Sequence, residues 1–297
     1  MLQAIAGPLR LAVKYDCASV VEQLRPTLER DWPDNFDEWV LLEDQTSALM
    51  KKPEGRLQEP FDVNWYFPDP GLSHIVIFGV AVSLSSRISA HTVRLAQETR
   101  VRGILRAAWY DLSRCYFLSE EDFHASVPNF DPLMVYRRIT DISVLDTQDL
   151  RRLLIAGERM RNFLQWHLLR EVTDGLRRHT GPALCEKVED NAERTWSCGN
   201  HVRKWWNDKT SDYCLVELTR DPLGHFLAMR RALSGDGYAE DLNSSNLKSV
   251  CFSCRRWFTA ILHSRCRMLW DMLPEIYDLR SLGWKQPPTE PHPFLDP

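Results

Sequence analysis

The chain has 297 residues, of which 44% are hydrophobic and 26% charged, the balance of a globular protein, which argues against wholesale disorder or a fibrous repeat. Its formal charge of -4, from 41 acidic and 37 basic residues, supplies no global field for nucleic acid or an anionic membrane and leaves only local basic patches. With 13 Gly against 11 Trp, hinges are few and large anchors many, a composition that leans towards helices packed by aromatic side chains.

The first residues, 1–7, lack the basic region, apolar run and cleavage site of a secretory signal. Leu9, Ala12 and Val13 at helical spacing predict a helix over 8–15 with Pro8 in its first turn. Asp16 is placed to cap a second helix through Val20, Val21, Leu24 and Leu28, which Pro26 bends or divides. Trp32-Pro33 ends it, and Phe36 to Leu42 offers a short amphipathic turn, so 1–42 reads as a helical hairpin.

Residues 43–92 read as a linker and an apolar insertion. The stretch 43–72 is charged, carries Pro53, Pro60, Pro68 and Pro70, and has no sustained periodicity, so little core is expected from it. Residues 71–92 differ: His74-Ile75-Val76-Ile77-Phe78 and Val80-Ala81-Val82 are β-branched and uncharged. Two readings stand side by side, a buried strand or short apolar helix, and a translated intron whose removal would join Pro70 to Val93. Either way the apolar run, about ten residues, falls short of the ~20 that cross a bilayer.

Helical spacing resumes at Val93, with Leu95, Ala96, Ile104, Leu105, Ala108, Trp109 and Leu112, and defines a helical domain over 93–180. Asp146 three residues before Asp149 resembles a capping box with Asp in place of Glu. It opens one or two long helices over 147–177, with Gly157 as the separator. A Cys-containing helical domain over 181–279 follows. It includes a helix after Asp221-Pro222-Leu223 and a final helix from Cys251 with an apolar stripe of Trp257, Phe258, Ile261, Leu262, Leu269 and Trp270. Five Pro make 280–297 a Pro-rich tail without helix. The fold class is all-α, an irregular array of two packed helical layers.

Cys251 and Cys254 form a C-x2-C pair, a spacing that lets two thiolates reach one ion where the chain turns into a helix. Cys17, Cys115 and Cys266 fall within helical patterns and read as packing residues. No nucleophile elbow, phosphate-binding Gly loop, H-E-x-x-H pair or calcium loop occurs, so no catalytic residue is assigned. The basic groups Arg151-Arg152, Arg203-Lys204 and Arg255-Arg256, the last two beside Trp205-Trp206 and Trp257, raise nucleic-acid binding, which flanking acids and the negative net charge disfavour. Trp205, Trp206 and Arg203 are the residues chosen as protein contacts, because such types dominate interface energetics.

Leu9-Arg10-Leu11-Ala12-Val13-Lys14-Tyr15-Asp16 resembles the helices that follow a BTB/POZ domain. In the same order, Ala107-Ala108-Trp109-Tyr110, Asp221-Pro222-Leu223, Cys251-Phe252-Ser253-Cys254 and Trp270-Asp271-Met272-Leu273-Pro274 resemble the carboxyl-terminal half of the BTB proteins of mushroom-forming fungi. In that family the BTB domain precedes the segment with which this chain begins, so the resemblance implies either a truncated product or a chain that begins late. It implies a non-enzymatic, adaptor-like protein-binding module in the cytoplasm or nucleus, with no membrane partner. The family also places Cys at positions matching Cys185 and Cys198, which completes a structural zinc site of Cys185, Cys198, Cys251 and Cys254, with Cys214, His201 and His263 as substitutes. Four ordinary buried thiols remain the alternative to zinc, and a small zinc-stabilised nucleic-acid-binding or regulatory protein the alternative function.

Overall fold

A computed structural model describes residues 2–50, 74–77, 80–83, 85–117, 139–140, 142–178, 185, 197–210, 221–234, 247 and 249–285. The chain is built mainly of helices, and its contacts divide it into two units, Met1–Leu153 with Tyr277–Pro297, and Leu154–Ile276. The second unit is therefore an insertion in the first. The chain thus divides at 153/154 and at 276/277, the second near the 279 boundary read from composition.

In the first unit α1 (Leu2–Lys14) and α2 (Ala18–Asp31) form the expected hairpin. Its turn is made differently from expectation. Asp16 takes a left-handed φ of 52° and closes α1, with Cys17 N–H donating to Ala12 O and Asp16 N–H to Val13 O. That is a Schellman end, which an Asp tolerates better than most residues. Asp16 is thus a terminator of α1 and not the cap of α2, whose preceding residue is Cys17. Pro8 lies inside α1 and Pro26 inside α2, and neither divides its helix.

Helix α3 (Phe36–Met50) runs eight residues beyond the predicted turn, into the expected linker. Asn35 caps it, its Oδ1 accepting from the Asp37 and Glu38 amides. Within residues 71–92, β1 (His74–Ile77) pairs antiparallel with β2 (Val80–Ser83), the strand reading of that segment. Helix α4 (Ser85–Thr99) then begins before Val93. Ser89, Ala90 and Thr92 are buried in the core alongside Val93, so the end of the apolar segment is continuous with the packing helix that follows it.

Helix α5 (Leu105–Ser113) is buried along nearly its whole length. Its Arg114 end carries a charge cluster that the apolar pattern conceals. The guanidinium, 1% exposed, bonds Glu43 through both Nη atoms at 3.1 and 2.8 Å and Asp111 at 2.7 Å. It also lies over the rings of Trp39 and Tyr110, and Ser89 donates to the other Asp111 oxygen. A buried cation persists only when its donors are met in this way. A short parallel pair, β3 (Tyr116–Phe117) with β4 (Ile139–Thr140), adds the remaining described strands.

Asp146 caps α6 (Thr147–Phe163) as predicted, accepting from the Asp149 amide at 2.9 Å. This bond is the main reason its carboxyl lies below the ordinary range. Asp149 does not return the capping contact; it is buried and accepts from Gln97 and Arg152. Gly157 sits inside α6 and separates nothing. The chain's return completes this unit: Tyr277 stacks on Trp109 and donates to Ser113, and Trp284 is buried under Arg106. The described chain thus reaches Lys285, past the expected start of the tail, and the rest of the tail lies outside the described residues.

In the second unit α6 continues through a π-helical turn over Leu164–Leu169 into α7 (Arg170–Arg178). Ala156, Met160, Leu164, Leu168, Val172 and Leu176 are buried. A spacing of four advances about 40° per step around an α-helix, and the wider π turn resets that drift so one stripe stays on the core. Helices α8 (Ser197–Lys209), α9 (Pro222–Ser234) and α10 (Phe252–Ile276) complete it. Asp221 caps α9 through the Gly224 amide, with Pro222 at the first helical position. Trp206 stacks on Phe226 and meets Phe258 edge-on, as does Trp205. No described helix is long and apolar enough to cross a membrane.

Two glycines are expected to respond oppositely to alanine. Gly157 has open space where a Cβ would stand, so Gly157→Ala should raise stability by about 0.5–1 kcal/mol. Gly283 has φ 79° with the Arg102 guanidinium against the same position, so Gly283→Ala should cost about 1–2 kcal/mol. Urea titration followed by circular dichroism measures both.

Candidate metal centre

Each thiol of the C-x2-C pair is placed by the start of α10. Cys251 is the residue before the helix, its carbonyl accepting from the Arg255 amide at 3.0 Å, and Cys254 is the third helical residue. These two positions face each other at a helix mouth, as the partners of a capping box do. Cys198 is the second residue of α8, and Cys185 stands alone before it.

The four sulfur atoms lie within 4.8 Å of one another and all four residues are buried. The Cys185 and Cys251 sulfurs are 4.0 Å apart. Four thiolates around one tetrahedral ion with metal–sulfur bonds of ~2.3 Å would stand about 3.8 Å apart, so the group needs only a small contraction. The Cys251 amide donates to the Cys198 sulfur at 3.4 Å. Two helix amino termini and this amide give positive potential where thiolate charge would collect. Burial pushes the Cys198 thiol up, against the lowering effect of the Cys251 amide. The donor set and geometry are compatible with a structural metal.

Of the substitutes, neither His201 nor His263 joins the group. His263 sits on α10 nine residues past Cys254, about 13 Å along the axis, and its Nδ1 is 3.0 Å from Arg230. Cys214 lies outside the described residues. Cys115 and Cys266 are buried packing residues as read, but Cys17 is exposed at the turn between α1 and α2, its thiol directed to the Tyr15 carbonyl.

The chosen contact residues are corrected by burial. Trp205 and Trp206 are 0% and 1% exposed and form the core of their unit. Arg203 bonds Gly199 O and Asn200 of its own helix. Arg152, read as part of a basic group, is committed to Asp149, Ser281 and the Trp109 face. Among the described residues of this unit, the large apolar side chains left in solvent are Leu154, Ile155, Trp166 and Phe252. No periodicity marks the last of these, which lies between two cysteines.

Burial also orders thiol reactivity. Desolvation raises the Cys266 thiol to about 12, so it carries almost no nucleophilic thiolate at neutral pH. Iodoacetamide at pH 7.5 should label Cys17 in the folded chain and leave Cys266 and Cys115 untouched until denaturant is added, as read by peptide mass spectrometry. No protein-family model, curated protein or solved structure matches the chain.

Proposed function

We propose that the chain is a non-enzymatic protein-interaction module whose second unit is pinned by one structural Zn2+ held by Cys185, Cys198, Cys251 and Cys254. The observation that carries this reading is the buried, closed group of four sulfurs. Four thiolates fill a tetrahedral ion and leave no position for water or substrate, so such a centre serves folding and not turnover. The all-sulfur donor set favours zinc among the common divalent ions that have no redox chemistry. Thiolates of this kind persist in a reducing compartment, consistent with a cytoplasmic or nuclear protein.

Protein binding is supported by the large side chains that the second unit leaves in solvent. Phe252 is 67% exposed, Trp166 60% and Leu154 78%, and aromatic residues of this kind anchor interfaces. The resemblance of the first helices to those that follow a BTB domain supports an adaptor-like role.

Metal analysis of the purified chain should find about one zinc per chain, lost in Cys254→Ser. A folded chain that contains no zinc and takes none up overturns the metal reading. With a partner in hand, Trp166→Ala with Phe252→Ala should weaken binding roughly tenfold or more, and the complex should tolerate 0.5 M salt. Capture of RNA or DNA that fades steeply with salt would replace this reading with the nucleic-acid one.

A further inference from the structure

The four thiols, the helices they start and the aromatic cluster of α8, α9 and α10 all lie in the inserted unit, Leu154–Ile276. The sulfurs draw together positions far apart in sequence: 66 residues separate Cys185 from Cys251, and 53 separate Cys198 from Cys251. Closing loops of that length removes much of the freedom of an unfolded chain, so an ion at this point acts as a long-range crosslink. Its reach extends into the core through the two helices it would start. Trp205 and Trp206 of α8 meet Phe258 of α10, only one turn beyond Cys254.

The first unit closes by other means. Its buried charges are met by Glu43, Asp111 and Asp34, and its returning segment is fixed by Tyr277 on Trp109 and by Trp284 under Arg106. Its described thiols, Cys17 and Cys115, take no part in the sulfur group. Within the insertion, Arg159 on α6 donates to the Glu275 and Ile276 carbonyls at the carboxyl end of α10. This holds the two ends of the insertion beside each other, at the end of α10 away from the sulfurs.

We infer that metal occupancy is a folding switch for the inserted unit alone: loss of the ion opens α8 and the first half of α10, while the first unit stays folded. The inference rests on the zinc reading above and adds its regulation. Exposed Phe252 would then be presented in its native setting only in the loaded protein, whereas Leu11 and Tyr15, exposed on α1, would be presented in both states.

Hydrogen exchange by mass spectrometry on the full chain, as purified, after EDTA and after reloading with Zn2+ alone, tests this. Chelation of the zinc-containing chain should speed exchange roughly a hundredfold over residues 198–206 and 251–258. Residues 105–113 and 277–284 should be unchanged, and Zn2+ should restore the first pattern. Equal loss in both units, or no change once bound zinc is gone, would overturn the inference and leave zinc binding intact. A chain that holds no zinc before EDTA and shows no response to added Zn2+ would remove the zinc reading itself. Because the wild-type chain is used throughout, no outcome depends on a cysteine variant that fails to fold.

Discussion

Two helices of the inserted unit begin at the same point in space, and that convergence governs the rest of the unit. The amino termini of α8 and α10 both carry cysteines in their first turn or just before it, and the Cys251 amide bonds the Cys198 sulfur. The positive ends of two helix dipoles brought together repel, so negative charge or a crosslink there is favourable. Four thiolates on one ion would supply both. Farther along the same helices Trp205 and Trp206 meet Phe258, and Phe226 of α9 stacks on Trp206.

The first unit solves a different problem, that of holding charge inside a small helical core. Arg114 reaches Glu43 from the end of α5 and is framed by Trp39 and Tyr110, while Arg106 pairs with Asp34. Pairs of this kind contribute little net stability, because desolvation offsets most of the attraction, but removing one partner strands the other. They therefore position α3 against α5 more than they strengthen the unit. The bidentate geometry of Arg114 on Glu43 is one that lysine would not reproduce.

Local chemistry was the part most legible from residues alone. The cap at Asp146, the C-x2-C pair and, in the stripe on α10, Phe258, Leu262, Leu269 and Trp270 depend on neighbours close in sequence and stand where the pattern placed them, while Trp257 and Ile261 of that stripe are only half-buried. Properties set by distant neighbours were not legible. Trp205 and Trp206 look like contact residues beside Arg203 and Lys204, and only the approach of Phe226 and Phe258 from other helices makes them core. Charged, Pro-rich surroundings disguised the helical run to Met50, although Glu43 within it has a buried partner. Cys185 and Cys198 could be joined to Cys251 and Cys254 only through family resemblance, because nothing in a 13-residue interval fixes where its ends meet. Of the two divisions between the units, the one at 153/154 falls within α6, where no break in the pattern marks it.

The placement of Tyr277 and Trp284 in the core of the first unit bears on biosynthesis. A ribosome delivers the chain from its amino end, and domains commonly fold as they emerge. Here the residues that seal the earlier unit come after the whole insertion. The first unit must therefore stay unfinished, without Tyr277 on the Trp109 face, until the whole insertion has been made. The inserted unit, although second in order, is the first whose parts are all present outside the exit tunnel.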